Sequence, residues 1–240
     1  WRWAFGALLP LLALQMLLVN RQLRAERMLV AVGKAPVKIA IHQISYLALS
    51  ALLIASASVV DGVVLQCLCV AAGLAFGIFA ILRERSAVTR LFPAGGTSLH
   101  HPLGLLYAVV ALLLMGTMTE IYVPYFLQHL HGLKPLTAGY ITALLAAGWS
   151  LASVFFSGKT GKSARILMQT GPALCTLGLV MLAIAMRLPS SIALSIAALA
   201  LSTIGLGVGM AWPHVLNAIM QSANADDADA ASSAISTAQL

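Results

Sequence analysis

Charge is scarce in this chain of 240 residues: Lys, Arg, Asp and Glu together make up 9% of it. Soluble domains carry about 25% charged residues, so a surface that faces water on all sides is excluded. Cysteine is scarce as well. Cys67, Cys69 and Cys175 are the only three, and they form neither a disulfide framework nor a metal-binding spacing; buried, inert thiols are expected. Paired catalytic carboxylates, a nucleophile–base pair and a metal cluster are all missing from the motifs. No enzyme activity, no cofactor and no metal are therefore expected. Nucleotide chemistry fails on spacing. "FFSGKTGKSAR" has a Gly-Lys-Ser at 161–163, but a phosphate loop needs a second glycine five residues before the first, and Phe156 stands there. "GLGVGM" likewise fails the dinucleotide pattern at Met210.

What is abundant is hydrophobicity. Apolar residues make up 60% of the chain, and its mean hydropathy is +0.95. A run of about 20 apolar residues crosses the hydrocarbon as a helix, because a helix satisfies its own backbone groups. Seven such runs are marked, at 3–19, 39–60, 63–82, 103–127, 136–156, 166–186 and 192–213, and an eighth begins near Ala230. The fold class expected is an all-α polytopic membrane protein with seven transmembrane helices and the start of another. A chain that opens on Trp1 and stops on "SSAISTAQL" reads as part of a longer protein.

Orientation follows from lysine and arginine, which collect on the cytoplasmic side. Arg21, Arg24, Arg27, Lys34 and Lys38 lie between the first two runs, and Arg83, Arg85 and Arg90 between the third and fourth. Lys159, Lys162 and Arg165 lie between the fifth and sixth. All eleven share one side if every run crosses, against Arg2, Lys134 and Arg187 on the other. The net charge of +7 thus reads as a topology signal and not as a nucleic-acid footprint. On this reading "SGKTGKSAR" is a short basic cytoplasmic turn carrying Gly158, Lys159, Lys162 and Arg165, with an anchoring or a gating role.

Several stretches resemble the major facilitator superfamily, and within it the fourteen-span drug:proton antiporters. "WRWAFGALLP" is similar to the start of that group's sixth span, through Trp1, Arg2, Trp3, Phe5 and Pro10. "LRERSAVTRLF" resembles the charged segment after the group's two extra central spans. "PYFLQHLHGLKPLTAG" matches at Pro124, Tyr125, Gln128, Gly132, Pro135, Ala138 and Gly139. "GLGVGMAWP" resembles the glycine-rich end of a later span, and "DDADAASSAISTAQL" the approach to the next one. The resemblance implies a fragment covering about spans six to thirteen. Residues 1–20 would be the last span of the N-terminal bundle, 21–102 the linker segments with the two extra spans, and 103–240 an incomplete C-terminal bundle. It also implies a secondary transporter, functional as a monomer in a bacterial plasma membrane, that exports small lipophilic or cationic compounds against protons by alternating access. An uptake permease or solute exporter of the same fold, and a seven-helix receptor, are the competing readings. One departure stands out. The family's cytoplasmic turn resembles G-x-x-x-D-R-x-G-R-R, whereas "SGKTGKSAR" is shorter and has no aspartate.

Among intramembrane polar residues Glu120 leads. A charge at mid-bilayer costs about 2.5–3.5 kcal/mol, so such residues usually face a cavity or a partner. Helical spacing places Gly116, Thr117, Glu120, Pro124 and Gln128 on one face, which with Tyr125 and Trp149 is a candidate substrate or proton pathway. The competing reading is a carboxylate that reaches interfacial water near the outer end. Tyr122, Tyr125, Tyr140 and Trp149 are interface anchors or walls of a pocket. Gly205 and Gly209 form a G-x-x-x-G for close helix packing, with Pro213 and Pro124 as sites of bending or gating. His42, Gln43 and His214 are expected near helix ends, and His100, His101, His129 and His131 in loops.

Overall fold

The computed structural model describes residues 6, 8–26, 40–84, 86–87, 90–222, 231 and 234–235. Among them eight helices and no strand are found: α1 Leu8–Glu26, α2 Ile41–Ser56, α3 Val63–Glu84, α4 Pro102–Thr117, α5 Thr119–His131, α6 Pro135–Phe156, α7 Gly161–Ala185 and α8 Ser190–Ser222. Five helical stretches are long and apolar enough to cross a bilayer: α3, α4 with α5, α6, α7 and α8. α2 is a shorter apolar helix. The protein is therefore an all-α polytopic membrane protein. The leucine-rich α1 belongs to one unit, Trp1–Ile39, and the other seven helices to a second, Ala40–Leu240.

In the second unit α8 is the centre. α6 and α7 pack along it most extensively, α4 lies against α8 and α7, and α5 lies against α6. The sequence of α8 explains this position. Ala193, Ala197, Ala200, Leu201, Ile204, Val208, Ala211 and Val215 are all buried, and glycines between them let two neighbours, α6 and α7, approach closely. α2 and α3 form a separate antiparallel pair. Ser50 donates to the Gly73 carbonyl at 2.7 Å, and Tyr46 meets Phe79 edge to face. α3 packs on α2 along one face alone, so Cys67 is exposed and Cys69 half-buried; of the three thiols expected to be buried, only Cys175 is.

Local chemistry sets several boundaries. His101 accepts the Leu103 N–H and Pro102 opens α4, a pairing that uses an orphan donor and a pre-set φ. Gly132, with φ 64°, turns the chain out of α5, and the left-handed φ suits glycine because it has no Cβ. The run expected at 103–127 is two helices, broken at Met118 and reaching His131. Thr117 and Thr119 hydroxyls donate to the Leu114 and Gly116 carbonyls at 2.7 and 3.0 Å. Pro124 lacks the N–H that would meet the Glu120 carbonyl, and such competing interactions bend or break a helix. The last run also differs from expectation. α8 continues through Pro213 to Ser222, and its 33 residues rise about 50 Å at 1.5 Å each.

Candidate functional site

Three glycines on α8 bring it close to its neighbours. A Cβ on Gly205 would lie 2.0 Å from the Leu145 carbonyl oxygen, and one on Gly209 2.3 Å from that of Trp149, both on α6. Gly207 faces the other way, with Gly171 O of α7 at 2.5 Å from its would-be Cβ. Glycines therefore clamp α8 between two helices, and α6 and α7 return the contact through Gly148, Gly171 and Gly178. Gly207 lies between the pair in sequence. Its separate partner depends on helix placement.

Toward the C-terminal end of α6 the contacts become polar. Pro213 leaves the Gly209 carbonyl without its helical donor, and the Ser153 hydroxyl donates to that oxygen at 3.4 Å. His214, buried, lies with Nε2 3.0 Å from the Phe156 carbonyl at the end of α6. With the proton on Nε2 it donates to that oxygen, which also accepts the Lys159 N–H at 3.1 Å. Trp149 is half-buried and meets Trp212 edge to face at 5.6 Å. Beyond this end Gly158 and Lys159 lie in an exposed turn. Lys162 and Arg165, expected in the same turn, stand exposed in the first turn of α7, which starts at Gly161.

The stripe expected on the fourth run is divided by the break at Met118. Gly116 and Thr117 are buried, Gly116 beside Cys175 and Leu179 of α7. Glu120, in the first turn of α5, is exposed. Further along, Gln128 is half-buried and donates to the Pro124 carbonyl at 2.9 Å. Tyr125 is exposed and its ring stacks on His129 at 4.0 Å. The other side of α5 borders an apolar groove of 480 Å³ against α7, lined by Thr119, Tyr122, Val123, Phe126, Leu182 and Met186 among others.

Glu84 is the polar residue that sequence reasoning passed over. It reads as one more charge in "LRERS", yet it is 4% exposed. Its Oε1 accepts the N–H groups of Leu91 and of Phe92, the latter at 2.9 Å. The only sequence signal was a lone carboxylate set among arginines. Among the described residues no three His, Cys, Asp or Glu side chains converge as a metal site would require.

No family model matches the chain. No solved structure matches it. The whole chain aligns, at 32% identity over 250 residues, with a protein of Mycobacterium tuberculosis strain CDC 1551 / Oshkosh named probable multidrug-efflux transporter. A protein of the same name from strain ATCC 25618 / H37Rv aligns equally well. The alignment covers 52% of each relative, so the chain spans about half the length of the curated relatives it matches.

Proposed function

We propose that this chain is the central and later part of a proton-coupled secondary transporter of the major facilitator type, which exports small lipophilic or cationic compounds by alternating access. The observation that carries the reading is the end-to-end alignment with two proteins named probable multidrug-efflux transporter. An all-helical membrane architecture agrees with it. In this reading residues 1–20 close an N-terminal bundle, α2 and α3 are the extra central spans, and 103–240 begin the C-terminal bundle. The basic turn between α6 and α7 faces the cytoplasm of a bacterial cell, as the positive-inside rule requires.

The polar side of α5, with Glu120, Gln128 and Tyr125, faces the pathway together with Trp149 and Thr117. Glu120 is exposed, which leaves its carboxyl open to a proton or to a cationic compound. The apolar groove beside α5 fits the lipophilic part of such a compound. Two bundles rocking about a midplane site would then alternate its access.

Drug efflux from cells producing the full-length protein tests this, with and without a protonophore. Export that continues unchanged after the gradient collapses ends the antiport reading. Glu120→Gln is expected to slow export of cationic compounds while protein levels hold. Unaltered kinetics and pH dependence in that variant would return Glu120 to the membrane interface.

A further inference from the structure

We propose that Glu84 is the joint that fastens the α2–α3 pair to the α4–α8 bundle, so that the two move as one body. The inference needs no transport activity. α2 and α3 pack on each other, whereas neither packs extensively on α4–α8. Their outward side chains, among them Leu52, Val64, Leu68 and Leu74, are exposed. Helices with nothing but lipid around them gain no orientation from hydrophobicity, because lipid tails are as apolar as the side chains. The direction of the pair therefore rests on the segment between α3 and α4.

Glu84 is the last residue of α3 and is buried there. By accepting the Leu91 and Phe92 N–H groups its carboxylate folds that segment back onto the end of the helix. A small cavity beside the carboxyl is bordered by Gln43 and Leu47 of α2, Ala80 of α3 and Thr97 of the connecting segment, so three elements meet at this one residue. The contacts then continue into the bundle. The Phe92 ring meets Tyr107 of α4 edge to face at 5.2 Å, and the Tyr107 hydroxyl donates to the Ala231 carbonyl at 3.1 Å. Among the described residues, no hydrogen-bond partner meets the buried Glu84 Oε2.

The test is a pair of spin labels on the full-length protein with its other cysteines replaced, one at Cys67 on α3 and one at Leu177→Cys on α7. A second pair, Leu130→Cys with Ile184→Cys, reports on the bundle alone. With Glu84 present, the first pair should give one narrow distance. Glu84→Ala should lose that single peak and leave the second pair narrow. Glu84→Gln, whose amide oxygen accepts the same two N–H groups, should restore it. A first pair unchanged by Glu84→Ala overturns the proposal. So does broadening of both pairs, which would make Glu84 part of the bundle's own fold. A Glu84→Gln distribution as broad as that of Glu84→Ala overturns the assignment to the two backbone amides.

Discussion

Half of the apolar span of α8 is buried against other helices, against 11% of that of α3, although α3 is the more apolar of the two. The hydrophobic effect does not sort these helices, since a membrane offers both an equally apolar surrounding. Side-chain size does. α3 presents Val63, Val64, Leu65, Leu68, Leu74 and Phe76 outward, large groups that lipid accommodates. α8 has alanine and glycine at its contacts, so neighbouring backbones come close enough for dispersion to hold them. Hydropathy locates a span, and the small residues within it tell whether the span is at the centre or the rim.

The sharpest way to break this contrast is a methyl group. Gly205→Ala places a Cβ 2.0 Å from Leu145 O and 2.9 Å from Trp149 N, both backbone atoms that no rotamer change can move. α6 must shift, and overpacking of this kind costs about 1–3 kcal/mol. Gly77→Ala in the rim pair meets side-chain atoms of Ser50 alone, Oγ at 3.0 Å and Cβ at 3.9 Å, and at most displaces the hydroxyl from the Gly73 carbonyl. Gly139→Ala meets nothing within 4 Å and gains helix propensity of up to about 1 kcal/mol. Thermal midpoints of the purified full-length protein should fall in that order, with Gly205→Ala lowest and Gly139→Ala at or above the parent. A Gly205→Ala midpoint equal to that of Gly139→Ala would remove the distinction between centre and rim.

The same division governs what could be read in the sequence. The helices at 63–84, 135–156 and 161–185 begin and end within a few residues of their hydropathy runs, because length and apolarity suffice to place them. Two features needed partners from elsewhere in the chain, and a third is a local combination. Pro213 reads as a site of bending near the end of a run, but α8 continues to Ser222, and Ser153 of another helix supplies a donor to the Gly209 carbonyl. Glu84 reads as a solvated charge, and two backbone N–H groups of the following segment bury it. The break at Met118 arises from two threonine hydroxyls and one proline. Of the candidate pathway, the residues were nameable from their type. Whether they share one face was not, since periodicity assumes an unbroken helix.

A smaller effect is expected where α6 and α8 are joined by polar contacts. His214→Ala removes one donor to the Phe156 carbonyl, which keeps the Lys159 N–H at 3.1 Å, so the loss is that of a single hydrogen bond, about 0.5–1.5 kcal/mol. His214→Gln, with an amide donor of its own, should recover part of it. Urea unfolding followed by tryptophan emission reports the change directly, because Trp149 and Trp212 meet beside this contact. Equal stability of His214→Ala and the parent would show that α6 is held by its glycine contacts alone.

The smallest perturbation leaves the fold intact and compares two native thiols. Cys67 is exposed on α3, while Cys175 is buried on α7 with its Sγ 2.8 Å from where a Cβ on Gly116 would stand. A lipophilic maleimide added in detergent should modify Cys67 at low temperature. Cys175 should react only as the bundle loosens, since modification there requires α4 and α7 to part. The two rates then measure rim and centre within one molecule. In the Gly205→Ala protein Cys175 should become reactive at a lower temperature while the rate at Cys67 stays put. A parallel rise at both positions would mean that the α2–α3 pair and the bundle unfold together, and that the rim shares the stability of the centre despite its sparse packing.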